Sequence, residues 1–478
     1  MNDREIDQYI NAVTRDMGRR QREEVKRELR SHIYDSSEAL AAERKVPVDS
    51  SIIREVIARM GPPGEIAAEY PAPKKSILTD RVIVVGVAMV VIFAILLVAA
   101  GACGLIWMFT PLDQREDKTS HAGAGQIRLD VDTFGDVDIV ESTTGDLEVV
   151  YAVHARQGHL GEIVTNTTYD MEGDTLMVRS EARQVGPLVS NIVFGGGSPG
   201  ADLLIKVPKG SHYDVDVKTS YGGITLPALA GGSLSLDSGS GDVALAGGRY
   251  DSLNVASSYG NINTKASAND SVYSTGSGNV DLDTPGSADS LSIATSYGRI
   301  TAKYSAASAT FKSGSGDLDL TSTGPADSLT ATTSYGGIRA KYDAARATFS
   351  SGSGDIDLES AGLADDLSVT TSYGGIRAKY NATTATFSSG SGNVRLDSGQ
   401  TTGTLDASSN YGNVRVVLPG ATLFYVDART GYGQVTHGTI PLLMTETGDS
   451  RLTGYTQGGQ GTLEMKLQSG SGDVEISY

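Results

Sequence analysis

Ala309-Thr310-Phe311-Lys312-Ser313-Gly314-Ser315-Gly316-Asp317-Leu318-Asp319-Leu320 decides the fold, and it returns 38 residues later as Ala347-Thr348-Phe349-Ser350-Ser351-Gly352-Ser353-Gly354-Asp355-Ile356-Asp357-Leu358. Counted from the last glycine, apolar residues stand two and four places after it and five and seven before it. An apolar pair at period two marks a strand with one buried face, and the Gly-Ser run between the pairs is a turn. Between the two copies lies a second version, Ser334-Tyr335-Gly336-Gly337-Ile338-Arg339-Ala340, so the structural unit is about 19 residues and two versions alternate. A fixed period of this kind means a solenoid. The expected fold is mainly β: coils of two short strands, stacked into two facing sheets, with a small helical bundle and one transmembrane helix at the N-terminal end.

The period holds outward from there. Tyr221, Tyr259, Tyr297, Tyr335, Tyr373 and Tyr411 each precede a glycine, at steps of 38 residues. Ser240, Ser277, Ser315, Ser353 and Ser391 take the same place in the alternate coils. Two coils separate successive rings by about 9.6 Å, too far for direct stacking. Each ring either covers its Gly-Ser turn or joins an evenly spaced aromatic row, a candidate ligand row for a repetitive glycan.

The outward strand positions carry charge. Asp319, Arg339, Asp357 and Arg377 stand three residues after successive glycines, and Lys303, Lys341, Glu359 and Lys379 stand five after. Adjacent coils about 4.8 Å apart make these a charge ladder that helps define register. Asp317 with Asp319, and Asp355 with Asp357, could also bind Ca²⁺. Related coils break that pattern with Ala244 and Arg395, which favours the ladder and turn roles.

This half of the chain resembles the putative-adhesin β-repeat family, an envelope domain of unknown function. The resemblance rests on Leu204-Ile205-Lys206-Val207-Pro208-Lys209-Gly210 and the alternating S-Y-G-G-I and S-G-S-G-D-V turns, and it runs from Ile127 to Tyr478. The period is broken at both ends. Residues 127–210 are expected to be an irregular β-rich cap and 211–478 the solenoid.

Before it, residues 82–112 hold no charged side chain, long enough to cross a bilayer as a helix over 82–109. Lys74, Lys75 and Arg81 precede this run, which places the N-terminus in the cytoplasm and the C-terminal part outside, with 113–125 as a linker. Residues 1–75 are expected to be helical, with Ile6, Tyr9, Ile10 and Val13 on one apolar face and Ile52, Ile53 and Val56 on another. Arg22-Glu23-Glu24-Val25, His32-Ile33 and Met60-Gly61-Pro62-Pro63 are similar to the HAAS domain, a helical signalling module found beside membrane spans. That resemblance implies a protein partner such as a PadR-type regulator.

Composition narrows the function. Residues 1–81 carry 15 basic and 15 acidic groups, and the remainder carries 24 and 42, the whole of the net −18. Such a balance argues against direct nucleic-acid binding. One cysteine excludes a disulfide framework. Acidic residues recur in every second coil rather than clustering once, so no catalytic site and no cofactor are expected. Two functions compete: a single-pass envelope protein whose outer solenoid is adhesive or scaffolding, with the bilayer and a glycan or envelope component as partners, and a transmembrane sensor whose head engages a regulator.

Overall fold

The computed structural model describes residues 3–15, helical residues between 22 and 41, 50–60, 62–63, 112–156, 159–185, 200–399, 402–459 and 461–478. The chain divides into two compact units, Met1–Cys103 and Gly104–Tyr478.

In the first unit, α1 (Asp3–Val13) and α2 (Ser50–Met60) bury the faces their periodicity assigns. Ile6, Ile10 and Val13 share one core with Val25, Leu29 and Ile33 and with Ile52, Ile53 and Val56. An ion pair joins Arg30 to Asp7 across the helices.

The membrane helix must be withdrawn from the fold class. Among the described residues no helix is long and apolar enough to cross a membrane, and residues 82–109 lie outside the described residues. The fold is a mainly-β solenoid with a small helical N-terminal unit.

In the second unit the strands pair in parallel, one coil to the next. Leu318 faces Ile338, Ile338 faces Ile356, and Ile356 faces Ile376. On the other side of the turn Phe311, Ala331, Phe349, Val369 and Phe387 follow one another. All are buried. Large and small side chains thus alternate along this inner row, which explains why the repeat is double: an aromatic ring overfills one coil and the next coil gives the space back. Tyr304, Tyr342 and Tyr380 complete the pattern, each tilted against the phenylalanine that follows it in the next coil at ring distances of 4.9, 5.0 and 4.8 Å.

The two strand series were expected as separate facing sheets. Among the described residues they form one hydrogen-bonded sheet of 33 strands, because some strands run through both series. Ile300–Ser313 is such a strand, and its buried alternation shifts phase at Ala307 and Ser308.

Two columns, one of hydroxyls and one of glycines, lock the turns. Ser351 is buried, donates its hydroxyl to Gly336 O at 2.9 Å and accepts the Gly354 N–H at 2.8 Å. Thr333 repeats this one coil earlier, with Gly316 O and Gly336 N at 3.1 Å each. Beside the hydroxyls runs a glycine column in which backbones touch. A Cβ on Gly316 would lie 1.8 Å from Gly298 O, and one on Gly336 2.1 Å from Gly316 O. Only glycine fits there.

The ends depart from the simple array. Residues 113–125, expected as a linker, contain β1 (Leu112–Ala122), which pairs antiparallel with β4 (Asp146–Arg156). The cap expected over 127–210 already contains a coil. Strands β2 (Gln126–Thr133) and β3 (Val137–Glu141) pair in parallel with His212–Thr219 and Ile224–Leu226. At the other end the last coil is out of sequence order. Thr462–Ser469 lies between Thr402–Ser409 and Phe424–Thr430, parallel to both, and Val474–Ser477 lies between Val414–Val417 and Val435–Thr436.

Candidate functional site

The tyrosine row stands on the glycine turns. Tyr221, Tyr259, Tyr297, Tyr335, Tyr373 and Tyr411 are 68–73% exposed, so the rings project into solvent rather than covering their turns. Their bases are fixed: the N–H groups of Tyr335 and Tyr373 each donate to a glycine carbonyl of the preceding coil at 3.2 Å. A ring on a pinned backbone presents a large apolar face at little entropic cost.

Open grooves separate the rings. One of about 520 Å³ is lined by Ser334, Tyr335, Ser350, Ser353 and Tyr373, and one of about 420 Å³ by Thr370, Tyr373, Ser388, Ser391 and Tyr411. Hydroxyls and aromatic faces therefore alternate along this edge.

The row has a seventh member. Tyr432 precedes Gly433 and is 91% exposed, yet it follows Tyr411 by only 21 residues. The inserted C-terminal coil restores the spacing. Gly472 packs on Gly412, and Gly433 packs on Gly472, so Ser471 falls between the two tyrosines as a serine does everywhere else in the row. The Tyr-Gly pair was the available signal, hidden by chain order.

The charge-ladder residues face one another as neighbours. Arg339 lies between Asp319 and Asp357, and Arg377 follows Asp357. Lys303 pairs with Asp283 at 3.4 Å, and Lys341 with Glu359 at 3.1 Å; Lys379 faces Asp397. The Lys303–Asp283 and Lys341–Glu359 ion pairs are well exposed, and each contributes under about 1 kcal/mol.

The carboxylates considered for Ca²⁺ have another occupation. Asp317 Oδ1 accepts the Gly337 N–H at 2.8 Å and Asp355 Oδ1 accepts the Gly375 N–H at 2.7 Å. Asn279, Asn393 and Asn413 make the same bond with their side-chain carbonyls. An amide serves as well as a carboxylate, so the position requires an acceptor oxygen rather than charge. Sequence reasoning took these residues for turn formers and missed the column. Among the described residues no group of three or more His, Cys, Asp or Glu side chains is placed to hold a metal ion.

Comparison with known proteins follows the same division of the chain. Residues 125–350 and 310–477 match the family Toastrack DUF4097, and residues 8–69 match HAAS. No curated protein matches. A solved structure described as a putative cell adhesion protein from Clostridium sporogenes is 8% identical, with 76% of this chain and 99% of that one covered and a TM-score of 0.20. A putative lipid binding protein from Parabacteroides distasonis is 13% identical, with 76% and 96% covered and a TM-score of 0.18. A putative adhesin from Bacteroides fragilis is 11% identical, with 77% and 98% covered and a TM-score of 0.15.

Proposed function

The chain belongs to the Toastrack DUF4097 family, and on that premise we propose that its solenoid is an adhesive module of the cell envelope that holds a repetitive glycan along the tyrosine row. The observation that carries this reading is the row itself: seven exposed rings, two coils apart, separated by hydroxyl-lined grooves. Sugar rings offer C–H faces for stacking and hydroxyls for hydrogen bonding, and a step of about 9.6 Å suits a polymer that presents one face at each second residue. The module binds rather than catalyses, and it lies outside the cytoplasm. Protease added to intact cells should then remove the β unit and spare the helical one. Affinity measurements with soluble polysaccharides test the binding: Tyr335→Ala combined with Tyr373→Ala should abolish binding without loss of β circular dichroism. Unchanged binding by this double variant would sink the reading.

A second function is favoured by the HAAS match over residues 8–69. In it, the helical unit engages a regulator of the PadR type. Cross-linking of residues 1–75 in cells should capture that partner, and capture of none would remove this function.

A further inference from the structure

The outer position three residues past each ladder glycine alternates in sign from Asp319 through Arg339 and Asp357 to Arg377, and then the alternation stops. Arg377 faces Arg395, and Arg395 faces Arg415. Alternation resumes with Glu475, which faces Arg415 and pairs with it at 3.3 Å. Parallel strands about 4.8 Å apart place the three arginines within about 9.6 Å. Like charges set directly opposite one another are destabilising. The other outward residues near Arg395 do not neutralise it. Asn393 spends its carbonyl on the Asn413 N–H, and Asp397 faces Lys379. Among the described residues neither Arg377 nor Arg395 makes an ion pair.

The departure is sharper for occurring in a chain of net charge −18. It also sits beside the tyrosine row. Arg377 and Arg395 line an open groove of about 840 Å³ together with Tyr373. Toward the lower-numbered coils Arg299 and Arg339 are interleaved with Asp317, Asp319, Asp355 and Asp357, whereas the higher-numbered end carries Arg377 and Arg395 with no carboxylate among its lining residues. A guanidinium fork binds carboxylate or sulfate with two parallel N–H bonds, and an aromatic ring beside it can carry the attached sugar.

We propose that Tyr373 with the stack Arg377, Arg395 and Arg415 forms an acidic-sugar subsite, which makes the ligand an anionic polysaccharide bearing carboxylate or sulfate groups. This rests on the glycan reading of the tyrosine row and adds the ligand's charge and its location on the array.

The test titrates the full chain with polygalacturonate, a sulfated galactan and a neutral galactan. At least one acidic polymer should bind, weakening with salt, and Arg395→Gln should reduce its affinity by roughly tenfold, because a charge-assisted pair is lost. Lys312→Gln, an exposed cation on the other strand series, should change nothing. Equal binding of neutral and acidic polymers, unaffected by Arg395→Gln, overturns the subsite and leaves the tyrosine row standing. Acidic binding lost in Arg395→Gln but untouched by Tyr373→Ala and Tyr335→Ala overturns the tyrosine row and, with it, the role of Tyr373 in the subsite. No binding by any of the three overturns both. Circular dichroism of each variant confirms that the fold is intact.

Discussion

Two tyrosine rows run through the middle coils, seven residues apart in the chain and on opposite sides of the backbone. Tyr297, Tyr335 and Tyr373 are about 70% exposed, whereas Tyr304, Tyr342 and Tyr380 are at most 2% exposed. Both rows repeat every 38 residues, and both alternate with serine: Ser315 and Ser353 outside, Ser322 and Ser360 inside. One residue type at one period therefore serves two purposes. Inside, the ring fills volume against a phenylalanine. Outside, it is held out by a turn whose own packing is done by glycine and a buried hydroxyl. What separates the rows is parity along a strand, since the inner tyrosine continues the inward positions of Ile338 and Ala340 and the outer one stands on the turn before them.

Burial also shifts the acid–base behaviour of the inner row. It pushes the hydroxyls of Tyr304, Tyr342 and Tyr380 well above the usual tyrosine range, and that of Tyr250 up to about 12. Tyr342 and Tyr380 find no partner in hydrogen-bond geometry for their hydroxyls, and only weak polar influence from Ser360 and Ser398.

The comparison can be broken most forcefully in the core. Ile338→Asp buries a carboxylate without a partner and should cost several kcal/mol, while Arg339→Asp on the adjacent outer position should cost about 1 kcal/mol or less per contact. Chemical denaturation of the two variants decides it, and equal damage would mean the inward and outward rows are exchanged. Tyr342→Ala comes next, at about 3–5 kcal/mol, because it opens a cavity beside Phe349.

Alkali sharpens the contrast. The inner tyrosines are folded as neutral groups with pKa values raised by burial, so their contribution is fully present below the ordinary value of 10.0 and is lost as pH climbs above it; for Tyr250 that window ends at about 12. Absorbance titration should show the buried rings ionising only with loss of β circular dichroism. A single early transition in an intact fold would contradict the buried row.

Smaller effects follow. Tyr342→Phe removes a buried hydroxyl that has no partner and should leave stability unchanged or raise it by about 1 kcal/mol, measured as a shifted denaturation midpoint. Tyr335→Ala should be the mildest, within about 0.5 kcal/mol, because it takes nothing from the core. A large loss there would mean that the outer ring holds its turn after all.

Much of this was legible. Glycine spacing located the turns, and period-two apolar pairs such as Leu318 with Leu320 fixed which faces are buried. The inner tyrosines were legible too, since Tyr342 stands six residues after Gly336 and continues the even, inward positions. The buried hydroxyl column was harder to see, because Ser351 and Ser353 look alike in sequence. Only the neighbouring coil's carbonyl distinguishes the one that turns inward.

The sequence by itself determined the coil, its register and its double period, since all three follow from contacts that recur at a constant offset along the chain. The order of coils at the C-terminal end was decided only in three dimensions. Ser469-Gly470-Ser471-Gly472-Asp473 carries the same turn as every serine coil, so its sequence fits against any tyrosine coil equally well. In the folded chain Ser469 donates to Gly412 O, Asp473 accepts from Gln434 N–H, and the last coil enters between two coils that precede it. Parallel backbone pairing is indifferent to chain order. The choice fell to the return path of residues 442–456, whose antiparallel strands cover the far side of Phe424–Thr430 and leave its near side for the final coil.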